Sequence, residues 1–388
     1  MKILTLSIVF GLLLSCSRNY STASKGASKI ITPEKVQNKI QDMDLPGRLS
    51  DNWPILTDDL DYSGLRLAID RQIKAFVRRP LLGKLSIGGD TFPLNHIEKS
   101  LLRFSSLLKE LETCLKINFS CRESFELSLK SEFNIYDIGG EEKAHFTAYY
   151  SPTFEAKKEP SPEFNTAIYQ YPSSRELRAK TRNQIIFDGA LEGHGLELFW
   201  IKDPFDLYLL QVEGGGRVQL SGESEFHFIS YAGTNKKAHR FISRYMRERG
   251  YINDSSVKSQ RAFLKDNPDT WREIYNYNPN YVFFSETKSE PLGLEDIPLT
   301  ENRSMAQDRS IYVRKGLLSF VVAKRPIQTG NGEIELRPYS RFYIDQDTGG
   351  AIRGQARADL YFGFGKSAEL AANHLNLKGQ LYFLLLKK

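Results

Sequence analysis

The alternation of hydrophobic and polar positions divides the chain into three stretches. Between about 60 and 133 the apolar residues recur at helical spacing. Leu65, Leu67, Ile69, Ile73 and Phe76 form one run, and Ile97, Leu101, Leu102, Phe104, Leu107, Leu108 and Leu111 a second. Beyond 184 the pattern changes. Residues 184–187, 196–201 and 207–213 alternate or run apolar between turn residues, which predicts strands. Helices are then predicted near 238–249, 256–266 and 269–275, followed by a linker from 286 to 299. From 300 onward the pattern predicts strands at 310–313, 318–323, 333–336, 341–344 and 381–386, with one helix near 367–374. No internal repeat is visible.

The N-terminus has a different pattern. Lys2 precedes an apolar run over 3–14 that is too short to span a bilayer and reads as a secretion signal. The run ends in Leu13-Leu14-Ser15-Cys16, the form of a bacterial lipobox, so Cys16 is the expected lipidation site. Several acyl chains there give a stable anchor. Ser17 after the cysteine, rather than Asp, points to the outer membrane by similarity to known sorting rules. Residues 17–33 are rich in Ser, Thr, Lys and Gly and read as a flexible tether. Export implies an oxidising compartment, so the other two cysteines, Cys114 and Cys121, are expected to pair as a disulfide. Two thiols without a companion histidine motif make no zinc site.

Composition narrows the chemistry. With 388 residues, 40% apolar and 26% charged, the chain has room for two or three ordinary globular domains. The net charge of +6 suits an acidic polymer. Lys and Arg are scattered, however, which argues against nucleic acid as a partner. The six histidines show no His-Glu-x-x-His spacing, so no metal site is expected. Gly214-Gly215-Gly216 is not followed by Lys-Ser/Thr, as a phosphate loop would be, and no Gly-x-Ser-x-Gly elbow occurs. No cofactor is expected. That leaves carboxylates. Asp347-Thr-Gly-Gly reads as a tight turn in which Gly349 and Gly350 supply positive φ, with Asp359 on a short extended piece beyond it. Taken alone, the tetrapeptide reads first as a polar turn between strands.

Longer motifs carry a family resemblance. Asp347-Thr-Gly-Gly-Ala-Ile-Arg-Gly, followed by Arg357-Ala-Asp-Leu-Tyr-Phe-Gly-Phe-Gly, resembles the three-aspartate (3D) domain of the MltA family of membrane-bound lytic murein transglycosylases. Asp308 in Arg303-Ser-Met-Ala-Gln-Asp is the first of the three. His145-Phe-Thr-Ala-Tyr-Tyr-Ser-Pro resembles the family's Phe-Thr-Gly-Tyr-Tyr-x-Pro, with Ala148 in place of glycine. Residues 198–218 give the longest match, with Glu213-Gly-Gly-Gly-Arg217 where Gln-Gly-Ser-Gly-Arg is usual. Tyr231-Ala-Gly-Thr-Asn also matches, and 312–316 departs from a Pro-Leu-Gly type turn.

The resemblance implies a mainly β fold with a helical N-terminal part, built as a double-psi β-barrel domain with an inserted second β-rich domain. The boundaries are 1–16 for the signal and lipobox, 17–33 for the tether, 34–148 with 288–388 for the barrel domain, and 149–287 for the insert. It implies cleavage of the β-1,4 bond between N-acetylmuramic acid and N-acetylglucosamine, with a 1,6-anhydro product. One aspartate acts as acid and then base. Asp359 aligns with the catalytic aspartate, Asp347 would support it, and Asp308 would be structural or lie behind the site. Thr147, Tyr149, Gln211, Glu213, Gly214, Arg217 and Asp308 would line or back the groove. Tyr149, Tyr150, Phe199 and Trp200 are candidate sugar platforms. The implied partners are peptidoglycan glycan strands, the membrane through the lipid anchor, and a cell-wall synthesis complex. Two other readings stay open: a non-enzymatic peptidoglycan-binding lipoprotein, and a hydrolase in which a second carboxylate, Asp347 or Glu213, activates water.

Overall fold

The computed structural model describes residues 40–116, 121–287, 290–350 and 352–388. The signal, Cys16 and the tether lie outside them. The described chain opens with two short strands, β1 (Met43–Leu45) and β2 (Arg48–Leu49). Helix α1 (Leu65–Arg78) follows, then the hairpin β3 (Lys84–Ile87) and β4 (Asp90–Pro93), then α2 (His96–Cys114) and α3 (Cys121–Glu132). The hairpin lies between the two helical runs of a region whose spacing predicts mostly helix. Its residues alternate over only four positions on each side of Gly88-Gly89, too short a pattern to show against the flanking helices. Cys114, at the end of α2, is disulfide-bonded to Cys121, at the start of α3.

Strands β5 (Phe133–Asp137) and β6 (Ala144–Ser151) then enter the main sheet. The next stretch contains β7 (Thr153–Ala156), β8 (Thr166–Tyr169), the short helices α4 (Arg175–Arg178) and α5 (Arg182–Ile186), and β9 (Glu197–Ile201). After these come α6 (Pro204–Glu213), β10 (Gly215–Leu220), β11 (Phe226–Thr234), α7 (Ile242–Glu248), α8 (Val257–Asp266), α9 (Trp271–Tyr277) and β12 (Val282–Thr287).

Two strands expected here are helices. Thr181 caps α5 with a reciprocal capping box to Gln184, and Asp203 caps α6 by accepting from Phe205 N and Asp206 N, with Pro204 in the first turn. The apolar run from 207 to 210 is continuous because α6 is buried almost all round, and such a run cannot be told from a buried strand by periodicity. The caps settle it.

The C-terminal part returns to the main sheet with β13 (Ser304–Gln307), β14 (Leu318–Gln328), β15 (Ile334–Asp347), β16 (Arg357–Phe364), α10 (Lys366–His374) and β17 (Asn376–Leu386). Residues 310–313, expected as a strand, form a turn, and β13 lies just before them. The two strands expected around Pro338 are one, β15, which pairs with β14 through that proline. Six strands run in the order β14-β15-β13-β16-β6-β17, and β14 pairs again with β17 to close a barrel. Closure removes the open edges of the sheet. Strands β5 and β2 extend it outward from β17.

One buried cluster spans residues 43–148 and 305–385, so α1 to α3 share their core with the barrel. Two further clusters lie within 156–284. One sits around β8, β9, β10 and β12, the other around α6 to α9. The fold is therefore a closed six-strand barrel in a chain of mixed helix and strand.

Candidate active site

Strand register brings the two aspartates together. Asp347 ends β15 opposite Ala306 of β13, Ala306 faces Asp359 of β16, and Asp359 faces Thr147 of β6. The four residues thus form one row across four strands. Two inter-strand spacings separate the backbones of Asp347 and Asp359, roughly 9.5 Å by sheet geometry. Asp347 is the last strand residue and not part of a Gly-Gly turn. Neither Gly349 nor Gly350 has positive φ; in this connection Gly354 does, at 100°. Gly349 is confined differently, since a Cβ there would come within 3.0 Å of the Ile352 side chain.

Alternation along β16 and β6 builds a second row at right angles to the first. Arg357 faces His145, Asp359 faces Thr147, and Tyr361 faces Tyr149. Thr147 donates its hydroxyl to Asp359 Oδ1. Arg357 Nη2 lies 3.2 Å from the same oxygen and donates to Thr147 Oγ1 at 2.8 Å. Its Nη1 meets His145 Nδ1 at 3.1 Å, and His145 Nε2 meets Asn376 Oδ1 at 2.6 Å. The Tyr149 hydroxyl crosses to Asp347 Oδ2 at 2.8 Å. The Tyr361 ring packs at 5.1 Å against that of Tyr149, tilted by 42°, and its hydroxyl lies 2.9 Å from Ser151 Oγ.

Burial raises the proton affinity of these acids. It lifts Asp359 above the usual carboxylate range, opposed by Arg357 and His145. It lifts Asp347 to about 6 against hydrogen bonds from the Thr348 backbone and Tyr149. Glu213 is pushed further, to about 8, first by burial and then by the negative charge of Asp359. Glu213 is the last residue of α6, whose exposed carbonyl end also disfavours a carboxylate. Gly214 ends the helix at φ 76°, a left-handed cap that glycine adopts without strain.

A cleft of about 310 Å³ adjoins the rows, lined on one side by Tyr149, Tyr150 and Asp347 and on the other by Glu213, Gly214 and Tyr231. Asp359 is not on its wall. Its side chain is 23% exposed beside Thr147 and Arg357. Other expected site residues lie elsewhere. Gln211 turns into the protein and donates to Val282 O at 3.0 Å. Arg217 is stacked between Phe226 at 3.7 Å and Phe364 at 4.1 Å, and donates to Thr153 Oγ1, so it joins β10 to β16. Asp308 accepts from Ser310 N, Ser310 Oγ and Gly354 N, which hold its acidity up against burial. It ties the turn after β13 to the connection between β15 and β16 and stands apart from the row. Phe199 is fully buried and Trp200 lines a different cavity.

Sequence reasoning passed over Arg357, His145 and Tyr361. A period of two from Asp359 within the same motif would have found the first and last. It also passed over a fully buried pair behind Asp347, Lys315 Nζ to Asp345 Oδ1 at 3.0 Å. Among the described residues no group of three or more His, Cys, Asp or Glu side chains is arranged to hold a metal ion.

A closed barrel that sets two part-buried carboxylates in one row beside a cleft is a scaffold for acid–base chemistry, and comparison with known proteins gives it a family. The MltA specific insert domain matches residues 145–285, and the 3D domain matches 303–385. A Vibrio cholerae protein named membrane-bound lytic murein transglycosylase A is 32% identical over 252 residues, 63% of this chain and 67% of that one. Its Escherichia coli K12 namesake is 32% identical over 62% of this chain and 65% of its own length. The chain thus spans about two thirds of the curated relatives it matches. The crystal structure of E. coli MltA with bound chitohexaose is alike in fold, with TM-score 0.65 at 24% identity over 89% of this chain and 95% of that one. The chain belongs to the MltA family of lytic murein transglycosylases.

Proposed function

We propose that the protein cleaves the β-1,4 bond between N-acetylmuramic acid and N-acetylglucosamine in peptidoglycan and leaves a 1,6-anhydro end. The observation that carries this reading is the Asp347–Ala306–Asp359–Thr147 row, set beside an aromatic cleft in a member of this family. The relatives are named for lytic murein transglycosylase activity, and one was crystallised with a chito-oligosaccharide.

In this reading Asp359, whose hold on its proton burial strengthens, donates that proton to the glycosidic oxygen as the bond to C1 breaks. The C6 hydroxyl of the same muramic sugar attacks C1, and ionised Asp359 takes that hydroxyl's proton. Atoms balance without water. The attack is intramolecular and gains from high effective molarity. Arg357 and Thr147 hold the carboxylate between the two transfers. Asp347, joined to Tyr149, shapes the cleft floor. Glu213, neutral at pH 7, presents a hydrogen-bond donor to sugar on the opposite wall, as an amide would. Thr147, Tyr149, Gly214 and Arg217 complete or brace the groove, with Gln211 and Asp308 supporting it from behind.

The finer architecture belongs to the same proposal. The six-strand barrel is read as double-psi, formed by 34–148 with 288–388, and 149–287 as the insert that walls the groove. The protein is read as a cell-envelope lipoprotein held by Cys16 in the outer membrane and facing the periplasm. A cell-wall synthesis complex is a natural partner there. Turnover of purified sacculi tests the activity: wild type should solubilise them and Asp359→Asn should not.

A further inference from the structure

A second cavity, of about 360 Å³, lies away from the aspartates. It opens beside the β8–β9 pair and is bounded by α5, α9 and the start of α6. Trp200, Trp271, Phe187, Tyr169 and Tyr281 give it aromatic walls, and Asn165, Thr166 and Glu192 give it polar groups. Two of the chain's three tryptophans are therefore in one cavity. Trp271 is fixed by its indole N–H, which donates to Leu264 O at 2.6 Å. Tyr281 is fully buried and its hydroxyl has no hydrogen-bond partner among the described residues, an unusual state for a buried polar group. Among the described residues Glu192 is the only charged side chain on the wall, so none of them would recognise an anion. Rigid aromatic faces, a few neutral polar groups and this volume are the make-up of a small-molecule site. They suit a neutral ring with polar edges and an apolar face.

The geometry points to an accessory saccharide site in this cavity, taking an N-acetylated hexosamine unit. The choice of saccharide rests on the glycan reading of the active site. Helix α6 supplies Pro204 and Leu207 to the cavity at one end, and Glu213 to the catalytic cleft at the other. Along the helix axis Pro204 and Leu207 stand roughly 9–14 Å from Glu213. A glycan held in the cavity would thus raise the local concentration of polymer near the cleft without taking part in the reaction.

Tryptophan fluorescence tests this directly, because no tryptophan lines the cleft. The trimer of N-acetylglucosamine titrated into the Asp359→Asn protein should give a saturable change. Trp271→Ala should weaken the apparent affinity about tenfold, read on Trp200, and Trp271→Phe should restore most of it. Asn165→Arg, at the exposed mouth, should block binding without touching the core. In the otherwise wild-type enzyme, Asn165→Arg should slow turnover of sacculi several-fold and leave turnover of a short soluble glycan unchanged. A titration that stays flat at millimolar trimer, or an unaltered affinity in folded Trp271→Ala and Asn165→Arg, would overturn the site. If sacculi turnover is normal, that result leaves the catalytic reading intact. If wild type turns over nothing while the titration succeeds, the catalytic reading fails alone.

Discussion

Asp359 and Asp347 occupy one lateral row but different surroundings, and their roles divide accordingly. Asp359 faces Thr147 and Arg357, which can hold it as an ion once it has given up its proton. Asp347 is tied to a tyrosine. Asp359→Asn should lower sacculus turnover by about 10²–10⁴, the usual worth of a general acid. Asp347→Asn should cost less, since it removes one supporting hydrogen bond. Parallel rates for the two variants would reverse the assignment.

Glu213 gives a second prediction at this scale. Its folded pKa of about 8 lies above the ordinary 4.5. The folded state therefore binds the proton more tightly than the unfolded chain. That stabilisation is complete below about 4.5 and is lost as pH rises through 8. Glu213→Gln stays neutral at every pH, while Asp347 and Asp359 are common to both proteins. The wild-type Tm should therefore fall by a few °C relative to Glu213→Gln between pH 5 and 9. Melting curves that move in parallel would show Glu213 to be ionised already. The departure at this position from the family's usual glutamine was plain in the sequence. That burial keeps the carboxyl neutral was not, because burial depends on how α6 meets the barrel.

Elements were legible where their pattern was amphipathic. Helices α8 and α10 fell close to their expected ranges, as did the start of β14 and the end of β17. They were illegible where an element is buried all round or very short. Helix α6 reads as an apolar strand until Asp203 and Pro204 are weighed as a cap. Asp203→Ala should cost about 1 kcal/mol, the usual worth of an N-cap, seen as an earlier denaturation midpoint. It should also loosen Glu213 at the other end, raising KM more than it lowers kcat. A variant as stable as wild type would show that packing alone holds the helix.

For the whole molecule, the sequence motifs identified the family and located both aspartates. They could not show how the barrel is tied to the turn that leads into α1. Two buried or half-buried arginine forks do this. Arg303 grips Asp58 with contacts of 2.6 and 2.8 Å, both side chains fully buried, and Arg341 grips Asp59 at 2.7 and 2.8 Å. The partners lie more than 240 positions apart in the chain, a separation at which no local pattern operates. Burial alone would raise Asp58, but Arg303 and two backbone amides keep it below the normal carboxylate range. Asp58→Ala would strand a buried cation and should cost about 3–5 kcal/mol by chemical denaturation. A loss below about 1 kcal/mol would mean the fork is not a structural tie.

The central claim is that one carboxylate moves a proton out and back while the sugar's own hydroxyl closes the ring. The mass of the muropeptides released from sacculi by the wild-type protein tests this most directly. The account predicts 1,6-anhydro ends, one water lighter than hydrolysis products, with none formed by folded Asp359→Asn. Products carrying the extra water would contradict it, and would make Asp347 or Glu213 the base that activates water.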